Sequence, residues 1–181
     1  MNAYALIFDI DGCIADWSHR LHYIRDFEVK GMRALGGLQV NQDRWYPLPN
    51  PDLDAFYAAM PDDPVLPGAV IYNLLVNQSR YLHRQVSLGK VSAEWPAVDV
   101  ISCRPEKTRA VTVEWFERNG LLQPRAMHMR ADDDDRPHAE IKLEIYKEFY
   151  LGREEVVALF DDNAETIAAF REVGVPCYQV S

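Results

Sequence analysis

Short apolar runs alternate along this chain with longer amphipathic stretches. Tyr4 to Phe8 is apolar and closes on Asp9-Ile10-Asp11-Gly12. It is too short for a helix and bounded by a turn signal, which predicts a buried strand with acids at its carboxyl end. From Ala15 to about Pro64 the periodicity is lost. Aromatics and prolines crowd into Asp43-Arg44-Trp45-Tyr46-Pro47-Leu48-Pro49-Asn50-Pro51, the pattern of an irregular insertion. Pro67 and Gly68 then open a helical pattern carried by Val70, Leu74, Leu75, Tyr81 and Leu82 to about His83, and Arg84 to Pro96 reads as a polar loop.

Beyond that loop a strand, polar turn and helix recur. Val98 to Ile101 predicts a strand ending in Ser102-Cys103-Arg104-Pro105, and Glu106 to Asn119 a helix stopped by Gly120. Ala126 to Met129 is a weaker strand, after which the acidic run Asp132 to Asp135 leads into a helix bearing Ile141, Ile145, Tyr146 and Phe149. Val156 to Phe160 predicts a further strand closing on Asp161-Asp162-Asn163. Asn163 is placed to cap the helix of Ile167, Phe170 and Val173, with Gly174 as its stop, and Val175 to Val180 supplies a last strand. The alternation predicts an α/β fold, a three-layer α/β/α Rossmann-like sandwich around a mainly parallel sheet. Residues 1–14 and 65–181 would form the core, with 15–64 a small cap insertion after the first strand. Ligands of such sheets bind beyond the carboxyl ends of the strands, where Asp9/Asp11, Ser102/Arg104 and Asp161/Asp162 all fall.

Composition narrows the class. The 181 residues hold 28 acids against 19 Lys and Arg, a formal charge of −9, with 48% hydrophobic residues, so the chain is globular. The three cysteines, Cys13, Cys103 and Cys177, show no zinc or redox spacing and fit a reducing cytoplasm. The amino-terminal run lacks the basic start and apolar length of a signal peptide, and no apolar stretch approaches the roughly 20 residues that span a bilayer. Cytoplasmic location without membrane contact is expected. The acidic charge disfavours non-specific wrapping of duplex nucleic acid but leaves room for a basic pocket around one phosphate.

Acids gathered at strand ends repel one another unless a cation neutralises them, so a hard divalent ion is implied, and Mg²⁺ suits aspartates without histidine. Metal-assisted phosphoryl transfer follows. The series Asp9-x-Asp11-Gly12, Ser102, Lys142 on a helix and Asp161-Asp162, the first, second and last of these behind apolar strands, resembles the motifs of the haloacid dehalogenase (HAD) superfamily, in order. Ser102-x-Arg104, Arg130, Asp134, Arg136, Lys142 and the closing Gly-Val-Pro-Cys-Tyr-Gln-Val look like the 3′-phosphatase domains of polynucleotide kinases such as that of bacteriophage.

That resemblance implies a two-step reaction. Asp9 would attack phosphorus to give an aspartyl-phosphate. Asp11, its pKa raised by neighbours, would protonate the leaving oxygen and later deprotonate water. Ser102 and Lys142 would hold phosphoryl oxygens, and Asp9, Asp11 through its carbonyl, Asp161 and Asp162 would bind Mg²⁺. Gly12, Cys103, Arg104, Arg130 and Arg136 are expected near the phosphate, and His19 and Arg20 overhang it. The implied substrate is a nucleic-acid or nucleotide 3′-phosphate. Gly89-Lys90 lacks the rest of a kinase phosphate loop, so a kinase or ligase would be a separate chain.

Competing readings stand beside this one. A 5′- or 3′-mononucleotidase shares the motifs, and a non-catalytic phosphate-binding module would need a missing catalytic group. Cys103 and Arg109 match C-x₅-R of cysteine phosphatases, yet Pro105 removes an amide and no glycine lets that loop wrap phosphate. Arg104, Arg130 and Arg136 are alternatively surface partners of the acidic run. Trp45, Tyr46, Phe56 and Tyr57 either stack on bases or form the insertion's core.

Overall fold

A computed structural model describes residues 3–27, 45–48, 50–90 and 95–180. Its elements, in chain order, are β1 (Ala3–Phe8), a 3₁₀ turn (Ser18–Tyr23), β2 (Arg25–Phe27), β3 (Trp45–Pro47), α1 (Leu53–Ala58), a short 3₁₀ turn (Met60–Asp62) and α2 (Gly68–Ser87). They continue with β4 (Ala97–Pro105), a 3₁₀ turn (Glu106–Thr108), α3 (Arg109–Arg118), β5 (Met127–Arg130), α4 (His138–Phe149), β6 (Glu154–Asp161), α5 (Ala164–Glu172) and β7 (Cys177–Gln179).

The main sheet is five-stranded in the order β5-β4-β1-β6-β7, with every neighbouring pair parallel. Strand alternation sorts the core into two layers. Leu6 and Phe8 pack with Tyr72 and Val76 of α2 and with Trp115 and Phe116 of α3. Ala5 and Ile7 pack with Tyr146 of α4, Tyr150 and, from α5, Ile167 and Phe170. The sheet is therefore covered on both faces, as a parallel sheet requires.

Apolar runs located the strands to within a few residues. Asp99 lies inside the β4 run, fully buried, and is satisfied by the Tyr150 hydroxyl (2.9 Å), the Ala126 amide (3.0 Å) and Arg125. Asn163 caps α5 as expected, its Oδ1 accepting from the Thr166 amide at 2.9 Å. Gly120 and Gly174 take positive φ where α3 and α5 stop.

Two expectations change. Helix α2 runs to Ser87, because no helix breaker occurs before Gly89, whose φ is +67°. The stretch after β1 is not wholly irregular, since β2 and β3 pair antiparallel and Asp52 caps the six-residue α1, accepting from the Ala55 amide at 2.9 Å. A helix of that length shows no readable period.

Phe170 sits at the centre of one layer, whereas Leu74 of α2 lies on the surface. Phe170→Ala should cost about 3–5 kcal/mol in urea unfolding and Leu74→Ala within about 0.5 kcal/mol. Comparable losses would contradict this packing.

Candidate active site

From β1 the chain builds β4 and β5 on one side and β6 and β7 on the other, so strand order reverses between β1 and β6. Such a switch point opens a crevice at the carboxyl ends of the strands. Phe8 is in register with Phe160, and the Asp9 amide donates to the Phe160 carbonyl at 2.9 Å. Asp9 and Asp161 thus emerge side by side. Lys142, buried on α4, reaches between them, with Nζ 3.0 Å from Asp9 Oδ1 and donating to Asp161 Oδ2 at 2.7 Å. Asp162 completes the group: Asp9, Asp161 and Asp162 offer oxygens within 4.8 Å of one another. Gly12 passes directly over it at φ +83°, and a Cβ there would lie 2.0 Å from Asp162 Oδ2.

Among the described residues, Lys142 is the one ammonium paired within this group, to Asp9 and Asp161. Burial, reinforced by Asp161, Asp11 and Asp162 against the pull of Lys142, pushes Asp9 from 3.8 up to about 8. Burial and Asp161 likewise push Asp162 up to about 6. Burial alone would depress Lys142, but Asp9 and Asp161 hold it above its ordinary value. An oxygen-only cluster with surplus negative charge is a chemical fit for a hard divalent cation.

Beside it lies a second, balanced cluster. Asp11 accepts from Arg104 Nε (3.0 Å) and Nη2 (2.6 Å) and from Arg20 Nη2 (2.8 Å). Asp63 accepts from Arg20 Nε (2.6 Å) and Nη2 (2.7 Å) and from Arg104 Nη2 (2.8 Å). Arg20 and Asp63 are buried, the guanidinium lies 4.5 Å over the Phe56 ring, and Trp115 donates to the Asp63 carbonyl at 2.8 Å. Burial raises the Asp11 pKa, but Arg104, Arg20 and Lys142 outweigh it and leave that carboxyl below its ordinary value. This corrects the expectation of a raised Asp11: its nearest charges are arginines, not acids.

The remaining candidates separate. Asp9, Asp11, Cys103, Arg104, Arg130, Lys142 and Asp162 line a cavity of about 490 Å³, faced by Trp17, Phe56 and Tyr57 from the stretch after β1. Ser102 is buried beneath, its Oγ accepting from the Arg104 amide at 3.2 Å. Arg130 donates to the Cys103 carbonyl (2.9 Å), the Tyr57 hydroxyl (3.0 Å) and the Asp134 carbonyl. Arg136 stands away from the cavity, paired at the surface with Asp134 (2.6 Å) and Glu144 (2.5 Å). His19 also lies outside the cavity lining, 3.7 Å from Asp63. The amides of Gly12 and Cys13 donate to the carbonyls of Ala15 and Ile10.

Cys103 belongs to extended β4, its thiol pushed up to about 12 by burial, and Arg109 pairs with Glu106. No cysteine phosphate loop is assembled there. Of the aromatics, Phe56 is buried and Tyr57 half-buried at the cavity, while the Trp45 and Tyr46 side chains lie outside the described residues. Sequence reasoning missed Asp63 and His138, which also lines the cavity. Asp62-Asp63-Pro64 carries only a turn signal, and nothing local marks Asp63 as the partner of two distant arginines.

Aspartates at the ends of β1 and β6, a buried lysine between them and a Rossmann-like parallel sheet define a HAD-type phosphatase. The family model "Polynucleotide kinase PNKP phosphatase domain" matches residues 88–181, just over half of the sequence, and the chain belongs to that family. Asp9 and Asp11 lie outside the matched part and reach the site through the fold. The solved structure "Structure of Pnkp1/Rnl/Hen1 complex" is similar over 99% of this chain, with TM-score 0.64 and 19% identity. "Structure of the Pnkp1/Rnl/Hen1 RNA repair complex" is similar over the same share, with TM-score 0.63 and 19% identity. This chain spans 46% and 42% of those chains, less than half their length. No curated protein matches the sequence.

Because Asp9 is raised, the folded protein keeps a proton that the unfolded chain has lost between about pH 4 and about pH 8, so its share of stability falls as pH rises through that window. In EDTA, Tm should therefore drop less between about pH 5 and about pH 8 in Asp9→Asn than in the wild type. Identical slopes would contradict the shift.

Proposed function

We propose that this chain is a Mg²⁺-dependent phosphomonoesterase that removes 3′-phosphate from polynucleotide ends through an aspartyl-phosphate on Asp9. The observation that carries the reading is the single ammonium of Lys142 set between the carboxylates of Asp9 and Asp161, with Asp162 adjacent, at the floor of a cavity. Family membership supplies the phosphatase chemistry.

Asp9, Asp161 and Asp162, with the Asp11 carbonyl, would hold the ion. Bound there, it neutralises charge spreading over the transferred phosphoryl group. Asp9 attacks phosphorus as the bond to the ribose oxygen breaks, and Lys142 and Ser102 steady the phosphoryl oxygens. Cys103, Arg104 and Arg130, which line the cavity, would form its phosphate end, with Gly12 close over Asp162. Asp11 gives its proton to the leaving oxygen and takes one from the water that releases phosphate. Held as an anion by Arg104 and Arg20, Asp11 has no proton to give until an entering phosphate competes for those guanidiniums, its carboxylate loosens and it takes up a proton from solvent.

Residues 15–64 act in this reading as a cap on a core of residues 1–14 and 65–181. Trp17, Phe56 and Tyr57, facing the carboxylates across the cavity, support that role. The likeness to an RNA repair complex supports work alongside separate kinase or ligase chains. A cytoplasmic setting belongs to the same reading, and no helix among the described residues is long and apolar enough to cross a membrane.

Phosphate release from a 3′-phosphorylated oligonucleotide should require Mg²⁺ and exceed release from its 5′-phosphorylated twin and from mononucleotides. Asp9→Asn should lower kcat by about 10⁴-fold or more, with Cys103→Ser close to wild type. Preference for mononucleotides would make the enzyme a nucleotidase. An inactive Cys103→Ser with EDTA-insensitive turnover of the wild type would remove the aspartate mechanism.

A further inference from the structure

Helix α2 has two apolar faces, and the described structure covers one. Ala69, Tyr72, Val76 and Ser79 face the core. The outward side carries Val70, Leu74, Asn77, Tyr81 and Arg84, followed by Leu88 at the C-cap. Those positions are spaced 4, 3, 4, 3 and 4 apart, the alternation of a coiled-coil seam. Ile71 widens the stripe, and Val70, Ile71, Leu74, Tyr81 and Leu88 are each more than half exposed. No other described element packs on this seam along the 20-residue helix, about 30 Å long.

The stripe borders a preformed groove of about 480 Å³, walled by Val70 and Leu74 on one side and Gly120 and Leu121 on the other. Its floor is fixed: Tyr72 donates to the Leu122 carbonyl at 2.8 Å, and Asn73 accepts from the Leu122 amide at 2.7 Å and donates to the Gly120 carbonyl at 3.2 Å.

Charge selects the occupant. In a chain of net charge −9, α2 contains no Asp or Glu; Arg84 stands on the stripe and Arg80, whose Nη2 donates to the Gln123 carbonyl at 2.7 Å, on its flank, while His83 lines a cavity with Val76, Ala97 and Val98 on the core side. A second copy in antiparallel register would bring the two Arg80 side chains together with no acid from either helix to meet them. A membrane surface is disfavoured by Asn77, Gln78 and Gln85 within the stripe, and by the acidic body of the protein. A seam that admits an Asn among apolar positions suits a helix partner.

We propose that the outer face of α2 docks an amphipathic helix of a partner protein, with apolar residues at its seam and acids along its flank. The interaction is separate from the phosphatase site.

The test uses the full chain and a labelled synthetic helix of about three heptads, with Leu at the seam and Glu at the flanks, beside a twin carrying Lys for Glu. Anisotropy should show the Glu helix bound at least about 10-fold more tightly than its twin and more weakly as salt rises. Leu74→Glu and Tyr81→Glu should each weaken binding about 10-fold or more, with circular dichroism and phosphatase activity unchanged. Failure to bind the Glu helix, or equal binding of both helices, would overturn the proposal. So would a concentration-dependent dimer abolished by Leu74→Glu, which assigns the face to a second copy, or capture by phosphatidylglycerol vesicles, which assigns it to a membrane.

Discussion

The structure turns on one imbalance of charge among the described residues: a buried ammonium paired with two carboxylates, with a third beside them, at the point where strand order reverses. Lys142 pairs with Asp9 and Asp161, and among the described residues no other lysine or arginine pairs with Asp9, Asp161 or Asp162. Burial comes first in raising the pKa of Asp9, and the neighbouring acids add to it against the pull of Lys142. A fold retains such a cluster when something outside the chain relieves it. In the proposed function a divalent cation would meet the carboxylates and a phosphate would meet Lys142. The parallel β1/β6 pairing creates the imbalance by setting Asp9 beside Asp161.

The neighbouring cluster obeys the opposite rule. Arg20, Arg104, Asp11 and Asp63 balance charge for charge, and their hydrogen bonds satisfy most of the buried polar atoms. Such a network holds shape more than it adds stability. Arg20 comes from the 3₁₀ turn after β1, Asp63 precedes α2, and Arg104 is the penultimate residue of β4, so the cluster ties the stretch after β1 to the sheet. One cluster holds shape and the other is left open to ligand.

Much of this was legible in the sequence, for physical reasons that also set its limits. Asp9, Ser102 and Asp161 each follow an apolar run directly, so strand and functional group announce one another. Lys142 needed the order of the whole motif series, because one lysine on a helix says nothing alone. Asp63 was invisible: its arginines lie 43 and 41 residues away, and no local pattern encodes such a contact. The sign of the Asp11 shift is hidden from the sequence for the same reason, since Arg104 is 93 residues distant. Arg136 illustrates the converse, its spacing suggesting the site while nearby Asp134 and Glu144 hold it at the surface. In α2 the apolar pattern found the helix but not its buried face, because the core side is drawn partly in Ala69 and Ser79, residues with little hydrophobic signal.

The surplus of carboxylate over ammonium is tested most directly by calorimetric titration of Mg²⁺ into the full chain near pH 7, in buffers of different ionisation enthalpy, so that protons released on binding can be counted. With Asp9 raised to about 8, binding should release about one proton from the wild type and close to none from Asp9→Asn. Mg²⁺ binding without proton release, or no binding at millimolar ion, would contradict the account.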